Sequence, residues 1–331
     1  MNMFGSRNSG CSPHARDVLT PHVREFRDRL WQTSLLVTAS DYAPGNGFDV
    51  AASLCRVRDD VLHLLWQVQF GAELGRPLEA DFYAVVALGG YGRGTVSLHS
   101  DVDLLVLTTR TEPTWWKRLV AAYFRDIYDL GLKLGFLQLR LRSALRMILE
   151  DPHFCTAVLS ARFLWGDRGV FDSFQESLRD RLRRHLKTVF SAVEGARREE
   201  RERFGKTVFL LQPNVKRSPG GLRDIQFIDW IKLLWEVNQP AATSPVEDLL
   251  PREESDAIRD TEDFLLQIRH SLHHSANRAE DVFSRTDQWR LAEAWKYEAT
   301  AGLLPVEVLM REYFRRTEQI VTVGTRLAQA L

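Results

Sequence analysis

Apolar residues recur at helical spacing in two segments near the start of the chain, residues 17–39 and residues 50–70. The recurring positions are Val23, Phe26, Leu30 and Leu35 in the first segment, and Leu54, Val57, Val61, Leu64 and Leu65 in the second. A helix gathers positions spaced in this way on one face, so both segments are predicted to be amphipathic helices. The stretch at residues 42–48 contains Pro and Gly and is predicted to be a turn or linker between them.

The pattern changes after residue 81 to short apolar runs. Residues 82–88 and 103–108 are rich in Val, Leu and Ala, and runs of this length and composition predict buried strands. Residues 132–141 alternate between apolar and polar side chains, which predicts a third strand. Residues 115–130 are predicted to form a helix. The order helix, strand, glycine-rich turn, strand, helix, strand indicates an α+β domain.

Beyond residue 145 nearly the whole chain is predicted to be helical. Dense mixed charge over residues 171–204 is typical of a solvated helix face. Pro and Gly at residues 213–221 break the helices, which resume at residues 225–237, 256–274 and 306–330. We therefore predict three parts. These are a tail with a helical arm at residues 1–49, an α+β domain at residues 50–165, and an all-helical domain at residues 166–331.

Charge and composition narrow the class of protein. Lys plus Arg and Asp plus Glu each total 44, so the formal net charge is zero and no basic surface for nucleic acid is indicated. The three Cys residues are widely spaced, which argues against a disulfide framework or a zinc site and fits a reducing cytoplasm. No apolar run approaches the roughly 20 residues that span a bilayer. We expect a cytoplasmic protein without a nucleic-acid or membrane partner.

Two carboxylates at the start of the second predicted strand indicate a metal site. Asp101 and Asp103 stand at positions i and i+2, which point to the same face of a strand. Mg²⁺ prefers hard oxygen ligands and is usually shared with the phosphates of a nucleotide. Two such ions clamp the attacking and leaving oxygens of an in-line phosphoryl displacement. Asp101 and Asp103 are therefore the candidate catalytic and metal-binding residues.

Residues upstream of this pair predict a phosphate site. Gly89 and Gly90 end the first predicted strand, where glycines let backbone N–H groups approach phosphate oxygens. Arg93 would add positive charge to the same site, and the Ser100 hydroxyl would hold the turn that carries Asp101. Each feature alone is weak, and the alternative is a glycine-rich hairpin with a polar lip. Their combination in one strand–turn–strand frame favours a nucleotide site.

These residues resemble those of a known family. The segment Gly89-Gly-Tyr-Gly-Arg-Gly94, followed by Ser100-Asp-Val-Asp-Leu-Leu105, is similar to the nucleotidyltransferase signature of bacterial protein-PII uridylyltransferases. Residues 212–226 and residues 277–288 resemble the helical region of the same family. The resemblance implies a DNA polymerase beta-like nucleotidyltransferase domain, with a small mixed sheet and helices, followed by an all-helical domain. It also implies transfer of UMP from UTP to a tyrosine of a PII-type protein in nitrogen regulation, with Mg²⁺ as cofactor.

The resemblance suggests a functional role for Lys216, within the Pro/Gly-broken stretch, and for Arg223, just after it. In the family reading they bind nucleotide by closing over the triphosphate or the acceptor protein. The alternative is a structural turn whose Asp224 caps the next helix. Two further polar clusters stay open between a site and a structural role. One comprises Arg278, Glu280 and Asp281, and the other comprises His270, His273 and His274, for which a partly buried or surface cluster is favoured over a metal site.

The chain also departs from the family. Its members continue into a uridylyl-removing hydrolase domain, and the absence of any His-Asp pair predicts that this activity is missing here. Many members of the wider superfamily take a third carboxylate from a later strand, but residues 132–141 contain no acid, and Phe136 stands where the family tends to have His. Asp129 and Asp151 flank that strand. Two alternatives therefore stay open: nucleotidyl transfer, such as AMP, to another acceptor, or an inactive nucleotide-binding or regulatory module.

Overall fold

The computed structural model describes residues 25–26, 28–33, 35, 46–74, 82–238, 249–300 and 302–330. The first predicted helix, residues 17–39, lies largely outside the described residues, and those described between 25 and 35 are helical. The predicted turn at residues 42–48 lies outside them up to residue 45, whereas residues 46–48 already belong to the next helix, α1. That helix is longer than the predicted residues 50–70.

Helices and strands alternate in the first part of the chain, and helices alone follow. The first part comprises α1 (Asn46–Leu74), β1 (Tyr83–Ala87), α2 (Gly89–Arg93), β2 (Val102–Thr108), α3 (Trp116–Asp129), β3 (Leu134–Arg140), α4 (Leu141–Glu150), α5 (Pro152–Val158) and β4 (Arg162–Gly166). The second comprises α6 (Arg168–Arg184), α7 (Leu186–Phe204), α8 (Leu222–Asn238), α9 (Arg252–Ala276), α10 (Arg285–Ala294) and α11 (Pro305–Ala330). This architecture confirms the predicted α+β class, a small mixed sheet with a helical region. The boundaries after residues 49 and 165 stay predictions.

The four strands form one sheet in the order β3-β2-β1-β4. Strand β1 is antiparallel to both β2 and β4, whereas β2 and β3 are parallel. The three predicted strands are present. The fourth strand was not predicted, since nearly the whole chain beyond residue 145 was expected to be helical: residues 162–166 form a short strand without regular alternation. Because β4 covers the outer edge of β1, all five residues of β1 are buried.

Alternate residues of the central strands face two different hydrophobic cores. Val86 and Leu105 pack with α4, α5, α6 and the later helices. Val85 and Leu104 pack on the opposite face against α1 and α3, where Trp66 is one of several buried aromatic residues. The side chains of a strand alternate between faces, so a sheet covered on both sides has continuously apolar strands. No described helix is long and apolar enough to cross a membrane.

Candidate active site

A cavity of about 780 Å³ lies between one end of the sheet and the helices α7, α8 and α9. Its walls include α2, the loop that leads from α2 to the start of β2, and the loop that precedes α8. All eight residues predicted from the sequence line it: Gly89, Gly90, Arg93, Ser100, Asp101, Asp103, Lys216 and Arg223. The fold therefore brings two distant parts of the chain to one cavity.

Two glycines leave room for the Asp103 carboxylate at the floor of this cavity. Asp103 is paired across the sheet with Gly135 of β3. A Cβ atom at Gly135 would lie inside the 3.0 Å approach that real Cβ atoms respect, against Oδ1 of Asp103. On the other side, a Cβ atom at Gly89 would lie 3.4 Å from Oδ2, and Gly89 has the positive φ of 54° that glycine tolerates. Gly135 was not predicted to belong to the site, although a glycine inside a strand often marks a place where another group approaches the backbone closely.

The Asp103 carboxyl is half-buried and electrostatically strained. Burial raises its pKa first and the neighbouring Asp101 raises it further, whereas Lys216 and Arg223 act in the opposite direction. Among the described residues, neither Asp101 nor Asp103 has a hydrogen-bond or ion-pair partner for its carboxylate. Two adjacent carboxylates without partners suit a hard divalent cation. No group of three or more His, Cys, Asp or Glu that could hold a metal ion is found in the described part of the chain.

The loop before Asp101 is held in place from within. The Ser100 hydroxyl accepts a hydrogen bond from the Ser97 N–H at 2.8 Å, and the Ser100 N–H donates back to the Ser97 carbonyl at 3.0 Å. Arg58 of α1 has no exposed surface, and it donates to the carbonyls of Ser97 and Leu98 at 2.9 Å each. Arg58 was not predicted to belong to the site. A charged residue within the apolar pattern of this helix indicates a buried cation that needs partners.

The glycine motif, predicted to be a glycine-rich turn, forms a short helix, α2. Its buried Tyr91 donates a short hydrogen bond to Asp59 of α1, and Arg162 of β4 contacts the same carboxylate at 2.7 Å. Burial raises the pKa of Tyr91 far above its ordinary value, so the phenol stays protonated and keeps donating. These contacts attach the motif to the rest of the α+β part.

Arg93 lines the cavity but is engaged by carboxylates of the helical region. Its guanidinium lies 2.7 Å from Asp229 of α8 and 3.3 Å from Glu262 of α9. The opposing charges raise the pKa of Arg93. Unlike Lys216, it is therefore already neutralised, and it links the glycine motif to the helices. The partners lie 136 and 169 residues away, beyond the reach of local motif analysis.

Lys216 and Arg223 are placed side by side on the opposite wall. The Arg223 N–H donates to the Lys216 carbonyl at 2.8 Å, and the Leu222 N–H donates to the Val215 carbonyl at 3.0 Å. Burial, and after it the positive charge of Arg269, lower the pKa of Lys216 to about 8. Both side chains thus hold positive charge at a cost, which an anionic ligand would offset.

The alternative structural role of this loop is also present. Asp224 is fully buried and accepts from Arg197 at 2.8 Å, from Arg201 at 3.0 Å and from the Gly220 N–H at 2.7 Å. Arg197 belongs to the segment predicted to be a solvated face, yet only 3% of its side chain is exposed. The segment also breaks into two helices at His185. Asp224 therefore fixes the loop that presents Lys216 and Arg223.

No further carboxylate of β3 stands beside Asp103. The residues of β3 paired with Asp103 and Leu105 are Gly135 and Leu137. Asp151 lines the cavity, but its Oδ1 accepts the N–H groups of His153 and Phe154 at the start of α5. Asp129 is not among the cavity residues.

Asp281 also lines the cavity, and it accepts from Arg269 at 2.7 Å. Hydrogen bonding and the nearby cations depress its pKa, so Asp281 stays ionised.

The chain is similar to known proteins over most of its length. A family model described as GlnD PII-uridylyltransferase matches residues 190–327. Three relatives, each a bifunctional uridylyltransferase/uridylyl-removing enzyme, come from Bradyrhizobium sp. (strain BTAi1), Ralstonia nicotianae and Cereibacter sphaeroides. They are 32%, 32% and 36% identical to this chain over 83%, 85% and 75% of its length. The chain spans 30%, 31% and 27% of the lengths of these relatives.

Proposed function

We propose that this chain, which is a relative of the PII uridylyltransferases, is a nucleotidyltransferase. The proposed reaction moves UMP from UTP to a tyrosine hydroxyl of a PII-type signalling protein. The observation that carries the proposal is the arrangement of charges in one cavity. Asp101 and Asp103, without partners among the described residues, lie on one wall, and Lys216 and Arg223 lie on the other.

The residues on the sheet side fit a magnesium site. Asp101 is exposed and Asp103 half-buried, so the pair offers oxygen atoms to the cavity at limited cost of desolvation. The space on both sides of Asp103 exists because Gly89 and Gly135 lack a Cβ atom. Mg²⁺ bound here would withdraw charge from the phosphate oxygens and orient them. Asp101 and Asp103 would hold it together with those oxygens.

The residues on the helical side would bind the triphosphate. In the proposed reaction, a bond forms between the tyrosine oxygen and the α-phosphorus, and the bond from the α-phosphorus to the β-phosphate oxygen breaks. The phenol proton passes to solvent water, and pyrophosphate leaves with the electron pair of the broken bond. Lys216 and Arg223 would bind the departing pyrophosphate, because cations aimed at developing charge stabilise the transition state more than the ground state. Backbone groups at Gly89 and Gly90 would contact the phosphate nearest the carboxylates.

Pyrophosphate release tests the proposal directly. The full chain is incubated with Mg²⁺ and each of the four NTPs in turn, with and without a PII-type protein. Asp103→Asn is the test variant, and Glu199→Gln is the control. Glu199 lies at the rim of the same cavity, with 72% of its side chain exposed and only a 3.9 Å contact to Arg203. We expect release that requires UTP, the acceptor and Asp103 but not Glu199. Equal release by Asp103→Asn would refute the assignment.

A second candidate function, an inactive nucleotide-binding module, is favoured by one observation. Strand β3 offers Gly135 and Leu137 where a third carboxylate would stand. Under this alternative the chain binds Mg²⁺ and NTP tightly but releases no pyrophosphate with any acceptor. Release that depends on ATP rather than UTP would instead indicate transfer of AMP. The same incubations, together with a measurement of Mg²⁺-dependent NTP binding, therefore separate the three functions.

A further inference from the structure

We propose that His273 and Asp281 form a hydrogen-bonded strut that fixes the distance between the two walls of the cavity. We call residues 97–101 the carboxylate loop and residues 213–223 the cation loop. The strut runs from His99 in the first to Val215 in the second. The inference rests on the proposed function, because the two loops carry the residues assigned there to the metal and to the triphosphate.

One end of the strut holds the carboxylate loop. The backbone N–H of His99, two residues before Asp101, donates to Nδ1 of His273 at 3.1 Å. Because Nδ1 accepts an amide hydrogen, the ring hydrogen of neutral His273 is on Nε2. Nε2 lies 3.3 Å from Oδ1 of Asp281 and donates to it. The two partners therefore select one tautomer and one ring orientation.

The other end holds the cation loop. The Val215 N–H donates to the backbone carbonyl of Asp281 at 2.8 Å, and the Phe283 N–H donates to the carbonyl of Pro213 at 2.8 Å. Asp281 thus belongs to the same hydrogen-bonded backbone as Lys216. Its carboxylate is fixed in turn by Arg269 at 2.7 Å. An unbroken chain of hydrogen bonds therefore connects the residue before Lys216 with the loop that ends at Asp101.

The burial of His273 indicates that the strut is rigid. Its side chain has no exposed surface, and each ring nitrogen has a hydrogen-bond partner, His99 on one side and Asp281 on the other. Burial lowers the pKa of His273 to about 4, which keeps Nδ1 available as an acceptor at neutral pH. A buried, fully satisfied polar link has essentially one geometry. His273 is thus a positioning residue and touches neither nucleotide nor metal in the proposed reaction.

Three substitutions separate the contacts of His273. His273→Asn keeps an acceptor at the place of Nδ1 and loses the contact to Asp281. His273→Gln places its amide near Nε2 and loses the contact to His99, whereas His273→Phe keeps the ring volume and loses both contacts. His270→Phe is the matched control. His270 lies one turn earlier on α9, is equally buried, and contacts the Gly47 carbonyl at 3.0 Å rather than the cavity.

Amide hydrogen exchange of the full chain reports on the strut whether or not the chain has activity. In His273→Phe we expect exchange in the carboxylate loop to speed up by on the order of tenfold, as for the loss of one buried hydrogen bond. Asn should restore most of this protection and Gln should not. His270→Phe should leave the loop at its original rate. An unchanged exchange rate of the carboxylate loop in folded His273→Phe, or equal effects of Phe at 270 and 273, would overturn the proposal.

A second readout tests the consequence for the site. Mn²⁺ serves as the probe ion for Asp101 and Asp103 and is titrated without nucleotide. We expect its affinity to be retained within a few-fold in all His273 variants, because the two carboxylates move together on one loop. The kcat with Mg²⁺–UTP should fall by on the order of tenfold or more in His273→Phe, because the distance between the two loops is no longer fixed.

The two proposals fail differently. If the original chain shows no turnover, the proposed function fails, and the exchange rates alone then decide whether the strut exists. If turnover is present, a kcat that decreases from the original chain through His273→Asn and His273→Gln to His273→Phe supports the strut. A change confined to KM contradicts it, because the contacts of His273 would then serve binding rather than the separation of the loops.

Discussion

Gly135→Ala provides a sharp test of the cavity geometry, because it adds one methyl group beside the Asp103 carboxylate. The added Cβ would lie inside the 3.0 Å limit from Oδ1, and the carboxylate is the mobile partner since it has no described hydrogen bond to break. We expect the oxygen to move by on the order of 1 Å. A displacement of that size at a reacting centre costs about a hundredfold in rate.

The stability of the fold should hardly change in this variant. Gly135 has no positive φ and lies in a strand, so alanine is compatible with its backbone and contributes about 0.5–1 kcal/mol through lower entropy of the unfolded chain. Crowding of the carboxylate costs about 1 kcal/mol, which offsets that gain. The predicted signature is a Tm within a few degrees of the original, with kcat/KM for pyrophosphate release reduced by about a hundredfold.

The control for Gly135→Ala is Gly195→Ala. Gly195 lies inside α7 with no atom within 4 Å of an added Cβ, so alanine should stabilise the helix by about 1 kcal/mol and leave turnover unchanged. Thermal unfolding and pyrophosphate release are measured on both variants. Full activity and unchanged Mn²⁺ affinity in Gly135→Ala would refute the reasoning, since the room around Asp103 would then have no role.

Three further predictions concern charged residues of the cavity. Because the pKa of Asp103 is raised in the folded state, its ionisation lowers the stability of the fold as the pH rises through that pKa. Asp103→Asn should therefore have a higher Tm than the original at pH 7. An equal Tm in the two proteins would contradict the argument. The pKa of Lys216 is lowered from its ordinary value of 10.5 to about 8 in the folded chain. Between these two pH values the unfolded chain binds more protons than the folded chain, so the stability of the original should rise with pH. Urea unfolding measures this rise, which should be absent in Lys216→Met. Arg93→Met should lower the free energy of unfolding by about 3 kcal/mol, because it removes the cationic partner of Glu262, whose side chain is only 13% exposed. A double-mutant cycle with Glu262→Gln should show strong coupling. Additive effects would argue against the ion pair.

The sequence permits prediction of what lies close together along the chain. A strand, a turn and a second strand bring Gly89 near Asp103 by local geometry alone, so the motif and the cavity coincide. The helices with strong apolar periodicity are likewise present, although α1 begins earlier and α9 extends beyond the predicted ends. Strand β4 was missed because its five residues have neither alternation nor a long apolar run, and its pairing with β1 is a tertiary contact.

Contacts between distant segments explain the rest. The pairs Arg93–Glu262 and His99–His273 are separated by 169 and 174 residues, and no local pattern announces either. Both depend on the position of α9, which packs against α1 and α8. The residue type was informative even so. A charged or polar residue inside an apolar pattern, such as Arg58 or His273, must find a partner if it is buried.

The partners of a polar residue distinguish what binds a ligand from what positions it. The side chains of Arg58, Arg93 and His273 form hydrogen bonds with other groups of the protein, so they hold loops in place. Asp101, Asp103 and Lys216 have no such partner for their side chains among the described residues, although Asp103 and Lys216 are partly desolvated. Desolvated charges without partners cost stability. A ligand that supplies a cation to the first wall and an anion to the second, as a magnesium–nucleoside triphosphate does, offsets both costs at once.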